Sequence, residues 1–274
     1  RGVAPRRRAC RAGRSSGDGL GLVIKRMTPE ISLAAETIGR LGPLKITNAL
    51  LASWLVTGAM TLFALWFRRT LRAVPRTAQG VVESVIEWLL GLMDGVTGKR
   101  ERSEAAFPLI ASLFLFIVAI NWFGLLPGVG SVGVYQEHHG ERVLVPLLRG
   151  GNADLNSTLA LALVSVIATH ATALRRLGFF RHAGKFLNFR SPISFFVGLL
   201  EIVSEFAKVL SFSFRLFGNI FAGEVLLLIV ASLVPYLAPL PFFGLELFVG
   251  FVQALVFATL TLVFLQLATA EEGH

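Results

Sequence analysis

From Ser191 to Val234 the chain runs through an apolar stretch with no proline after Pro192 and no cluster of turn residues. As one helix this stretch would reach about 66 Å, roughly twice the apolar thickness of a bilayer. Four shorter apolar runs accompany it, at about 47–67, 106–126, 155–174 and 242–269. They are too long and too continuous for the strands of a membrane barrel, which alternate over about ten residues. In lipid every backbone N–H and C=O must find a partner within the protein, so runs of this kind fold as helices. The composition agrees: 54% of residues are hydrophobic and 16% charged, where soluble domains average about 25% charged. The expected fold is therefore all-α, a polytopic membrane protein with about five membrane helices. The run 191–234 admits two readings. Gly198 and Gly218 mark places where two short crossings could turn, and one long, tilted or bent helix fits as well.

Between the first two crossings lies 81–98, "VVESVIEWLLGLMDGVTG". Here Val82, Val85, Ile86, Leu89, Leu90 and Met93 recur at helical spacing, with Glu83, Glu87 and Asp94 on the other side. That pattern predicts an amphipathic helix in the membrane surface, or one packed on a soluble partner. "YQEHHGER" and "RGGNAD" belong to a polar loop, and Asp154 or Asn156 is expected to cap the third crossing. Connectors 68–103 and 175–190 carry seven and five Lys/Arg, whereas 127–155 carries two and 235–241 none. The positive-inside rule puts the basic connectors in the cytoplasm, the segment before residue 47 outside and the C-terminal "EEGH" inside.

The net charge of +9 is concentrated at the start, where residues 1–30 hold eight Lys/Arg against two acids. Nothing there forms a folded element that would present the charge to nucleic acid, and "LGLVI" is too short for a signal-peptide core. Residues 1–26 are read as a basic disordered tail or a mis-assigned start before Met27, with a targeting segment as the alternative. Residues 27–274 are read as a single membrane domain.

Polar residues inside the oil carry the functional signal. Arg215 lies far from either end of its run, where snorkelling cannot reach water. A guanidinium stays charged when buried, and at mid-membrane it costs about 2.5–3.5 kcal/mol on insertion scales. No carboxylate stands at i−4 or i+4, so its partner must come from elsewhere in the fold or from another protein. At 100° per residue, Glu201, Ser204, Ser211 and Asn219 fall within about 40° of Arg215, Glu205 borders the stripe, and Glu224 lies nearly opposite. In the last run Glu246 and Gln253 share a face about 10 Å apart along the axis. Two sets of polar groups on either side of a fixed cation suggest access from both membrane faces. Their alternative reading is hydrogen bonding between helices.

Weaker motifs carry less. "GVTGKR" lacks the leading Gly and the Ser/Thr of a phosphate-binding loop. The histidines of "QEHHGE" are read as loop polarity, not a metal site. His170 is read first as a packed contact and second as a proton shuttle. One cysteine, Cys10, permits neither an intrachain disulfide nor a cysteine-cluster metal site. A secondary transporter would show repeats with broken helices in matching halves, and none is visible. A purely structural scaffold leaves Arg215 unexplained.

The block "SFSFRLFGNIFAGE" (211–224) resembles the signature of subunit a of the F-type ATP synthase. "PEISLAAE" (29–36) is similar to that family's opening segment, "GNADLNSTLALAL" (151–163) to its middle crossing and "FVGFVQALVFATLTLVFL" (248–265) to its last helix. The resemblance implies a stator with two long tilted helices set against a rotating ring of c subunits, in a bacterial inner membrane. It implies that Arg215 faces the ring carboxylates and separates two proton half-channels. Asn219, Glu224 and Gln253 match polar positions of the proton path, and Glu246 a position where family members often carry a histidine or an acid. Glu201, Glu205 and Ser211 would border the inner exit. The implied partners are the c-ring, the peripheral-stalk b subunits near 81–98, the remainder of the F0F1 complex and the bilayer. Neither a cofactor nor nucleotide chemistry is implied on this chain.

Overall fold

The computed structural model describes residues 37–42, 44–71, 77–126, 128–129, 133–138, 141–178, 192–234 and 237–269. The expectations for 1–26, Met27, 29–36 and the C-terminal "EEGH" lie outside the described residues.

Helix α1 (Asn48–Thr70) opens where the Thr47 hydroxyl accepts the Leu50 N–H at 3.3 Å, one of the orphan donors of a first turn. Arg68 and Arg69 sit in its last turn, where cations complement the helix dipole. Only Asn48, Ala49, Ala52 and Val56 of α1 are buried, while Trp54, Leu62, Phe63 and Trp66 face outward. An apolar helix exposed in this way fits lipid rather than water.

Helix α2 (Thr77–Thr97) keeps part of the pattern expected over 81–98: Leu89, Leu90 and Met93 are buried and Glu83 and Glu87 exposed, while Val85 and Ile86 of the apolar stripe are exposed as well. The chain then turns at Gly98, whose φ of 67° is left-handed and suits a residue without Cβ. "GVTGKR" is thus a helix–turn–helix corner. Arg100 closes the corner, donating to Glu87 at 2.9 Å, Asp94 at 3.0 Å and Glu104 at 3.2 Å. The Ser103 hydroxyl, and after it Arg100, hold the Asp94 carboxyl below the usual carboxylate range.

The second crossing departs from its expected start at residue 106. Helix α3 (Arg100–Gly124) already includes "RERSEA" and runs through Pro108. Glu101 in its first turn and the Ser103–Thr97 hydroxyl pair at 2.7 Å anchor this extra length. The polar loop also differs from expectation, because it folds a β-hairpin. After a first hairpin of β1 (Thr37–Leu41) and β2 (Leu44–Thr47), β3 (Gly133–His138) pairs antiparallel with β4 (Glu141–Pro146), His138 opposite Glu141. The all-α membrane architecture stands; among the described residues the strands form two small hairpins, one before α1 and one after α3.

A 3-10 turn, Gly151–Ala153, leads to α4 (Leu155–Leu177). Asp154 is the cap, accepting the Asn156 N–H at 3.3 Å, and α4 ends at Gly178 with φ of 81°. Helix α5 (Pro192–Leu233) is continuous for 42 residues, so neither Gly198 nor Gly218 interrupts it. Helix α6 (Pro239–Thr269) begins three residues before the expected Phe242. Pro239 and Pro241 stand in its first turn, where a missing N–H costs nothing, so they open this helix.

Five helices, α1, α3, α4, α5 and α6, are long and apolar enough to cross a membrane. They run in alternating directions. Thr158 meets Ser213, and His170 meets Glu205; Asn219 meets Gln253, and Phe212 packs on Phe257 and Phe264. The core between them is built from Ile110, Phe114, Ile117, Leu216, Phe257 and Leu262. Ala162, Ala254 and Ala258 are almost fully buried and let neighbouring backbones approach closely, as small residues do between membrane helices.

Candidate functional site

Arg215 lies midway along α5 and is exposed. Its Nη2 donates to Ser211 Oγ, one turn earlier, at 3.3 Å. Among the described residues no carboxylate comes within ion-pair distance of it. Around it the surface of α5 is narrow: Ala207, Gly218 and Ala222, with Ser211, are exposed on the same broad face.

One turn beyond, the Asn219 Nδ2 donates to Gln253 Oε1 at 3.2 Å, tying α5 to α6. Gln253 is buried, and its Nε2 has no partner among the described residues. The helical arithmetic that set Glu224 opposite Arg215 holds in the continuous helix. Arg215 and Asn219 look outward, while Glu224 turns inward toward α6 and the segment before α4.

There Glu224 meets a residue the sequence reading did not single out. Arg149 donates through Nη2 to Glu224 Oε2 at 3.1 Å and through Nε to both carboxylate oxygens at 3.3 Å. Its side chain is only 10% exposed. Glu246, on α6, is 6% exposed and has no hydrogen-bond or ion-pair partner among the described residues. Its carboxylate lies directly on Gly223, where an added Cβ would overlap both oxygens. The two acids share a cavity of about 300 Å³, walled also by Asn121, Ile220, Pro239 and Phe243. This cavity lies at the bundle end where α3 and α5 finish and α6 begins.

Three contacts fix that wall. Asn121 Nδ2 donates to Gly250 O at 3.0 Å, and Asn152 Nδ2 donates to Asn121 Oδ1 at 2.7 Å. Gly150 packs on Gly124, where a Cβ would come within 3.0 Å of its Cα. Asn121→Leu would leave the buried Asn152 amide unpaired, at about 1–3 kcal/mol. A lower melting temperature of the purified complex is the expected result, and an unchanged one would remove the network from the stability of the fold.

The other end of the bundle carries a second cluster. Glu205 accepts from Lys208 Nζ at 2.7 Å and lies 3.3 Å from His170 Nε2. Lys208 also sits 4.9 Å from the centre of the Phe264 ring, a cation–π distance. The first reading of His170, as a packed contact, is consistent with this position between α4 and α5. Glu201 is exposed on α5, about one turn before Glu205. The structure therefore brings Glu224 and Glu246 to one cavity, pairs Asn219 with Gln253, sets Arg215 and Ser211 outward, and places Glu201 and Glu205 towards the start of α5.

Comparison with known proteins identifies the family. The family described as ATP synthase A chain matches residues 50–266. An ATP synthase subunit a from Campylobacter jejuni subsp. jejuni serotype O:23/36 (strain 81-176) is 34% identical over 224 residues, covering 80% of this chain and 89% of the relative. The subunit a of Campylobacter jejuni strain RM1221 matches with the same identity and coverage.

Proposed function

The chain belongs to the ATP synthase A chain family, and we propose that within the F0 sector it forms two proton half-channels against a ring of c subunits, coupling proton flow to rotation. The exposed Arg215, a permanent cation without a carboxylate partner among the described residues, carries this reading. A ring carboxylate arriving through lipid is neutral, because a bare charge there is prohibitive. Beside Arg215 its ionised form becomes favourable, so the proton leaves on one side and must be replaced from the other. A fixed cation at the seam opposes a proton crossing directly.

The cavity between Glu224 and Glu246 supports one half-channel, and Asn219 with Gln253 bridges from it toward the Arg215 face. Glu201, Glu205 and Ser211 border the other. The charge of the basic connectors supports a reading with the cavity towards the outer face and the Glu205 cluster towards the cytoplasm. Helix α2 is the surface element nearest a peripheral stalk. Each proton moved through 100 mV contributes about 2.3 kcal/mol, so several drive one ATP made elsewhere in the complex. This chain itself performs transport and no nucleotide chemistry.

Disulfide trapping tests the orientation. Ala222→Cys, two turns past Arg215 on its face, is expected to cross-link to a cysteine beside the ring acid. Thr57→Cys on α1 is expected not to. No cross-link from position 222, or equal yields from both, overturns the ring-facing assignment.

A further inference from the structure

The two carboxylates of the cavity are not equivalent. Glu224 has a cation and Glu246 has none among the described residues, although the same space touches both. The cation does not come from a transmembrane helix but from the segment between β4 and α4, and that segment is held on every side. The Asn48 amide donates to Pro146 O at 3.4 Å. Gly150 rests on Gly124, and Gly151 is so close to Ile120 and Ser53 that no Cβ fits between them. Asn152 is bonded to Asn121, and Asp154 caps α4. With its backbone fastened to α1, α3 and α4, Arg149 approaches Glu224 from a fixed point, and its planar fork restricts the carboxylate as well as neutralising it.

We propose that Arg149 is a positioning residue for proton transfer: it holds Glu224 as a fixed, charge-compensated wall group and leaves Glu246 as the acid of the cavity that takes up and passes on protons. The inference rests on the proposed half-channel. The guanidinium reaches both oxygens of Glu224, whereas the buried Glu246 carboxylate meets no cation among the described residues. Arg149 from the loop and Glu246 from α6 are the charged groups shown around Glu224. From α3 the cavity receives the uncharged Asn121. A simple brace between loop and helix would hold the fold together without setting which acid exchanges.

The test uses membrane vesicles with the complete complex, measuring passive proton conduction through F0 after removal of the soluble sector, across pH 6–9 as roughly the accessible range. Arg149→Gln is expected to lower conduction about tenfold and to change its pH profile, within the coupling range of neighbouring groups. Arg149→Lys keeps the charge and is expected to retain most of the conduction. Arg149→Gln combined with Glu224→Gln is expected to conduct no worse than Glu224→Gln alone, because the arginine acts through that carboxylate. Wild-type rate and profile in Arg149→Gln, or a double variant whose loss is the product of the two single losses, overturns the proposal. Should Arg149→Gln fail to assemble, the double variant leaves no unpaired Glu224 charge and carries the comparison by itself. Arg215→Ala in the same vesicles, assayed for ATP-driven pumping before the soluble sector is removed, separates the two levels. If it still pumps, the half-channel reading fails; if it does not while Arg149→Gln is unchanged, only the role of Arg149 fails.

Discussion

ATP-driven proton pumping is expected to fall about a hundred-fold in Arg215→Ala, with the complex assembled in normal amount. The loss follows from what an ionised ring carboxylate would face. Without the guanidinium, a charge at mid-membrane meets a cost of about 2.5–3.5 kcal/mol, and each 1.36 kcal/mol is a factor of ten in rate. Arg215→Lys is expected to recover only part of the loss, since an ammonium is a compact, strongly hydrated point charge and not a planar fork. Assembly should survive because Arg215 is exposed and bonds only Ser211 within the described residues. Undiminished coupled pumping by Arg215→Ala would sink the assignment. Failure to assemble would point instead to a scaffold role.

The second large effect is expected at a residue with no chemistry of its own. Gly223 is buried, and its missing side chain is the space that the Glu246 carboxylate occupies. Gly223→Val must push that carboxylate away. The fold can absorb this, because the displaced atoms are the end of a flexible side chain, and so assembly is expected to stay near normal. Proton transfer cannot absorb it, since about 1 Å of misplacement at a reacting group costs up to about 10²-fold. The measurement is pumping per assembled complex. Combining Gly223→Ala with Glu246→Ala removes the crowding and the acid together, and is expected to assemble well but not to pump. If the double variant pumps like wild type, Glu246 is not on the path.

Much of this site is local enough to be legible in the sequence. The isolation of Arg215, the stripe shared with Ser211 and Asn219, and the inward turn of Glu224 all follow from 100° per residue along one helix. The cap at Asp154 and the outward acids of α2 are equally local. Arg149 was not legible, because its partner Glu224 is 75 positions away and no periodicity links a loop to a helix. Gly223 and Asn121 look unremarkable until α6 is packed beside them. The early starts of α3 and α6 were missed for a different reason: charges and prolines that read as breaks in an apolar run are favoured residues in a first helical turn.

The small side chains beside Arg215 have a mechanical consequence. Packed helices that must hold their place lock ridges into grooves, and every lock is a barrier to sliding. Ala207, Ser211, Gly218 and Ala222 offer little for a neighbour to catch on. A rotor drawn past them would meet low friction, with the arginine as a tooth on a smooth bearing.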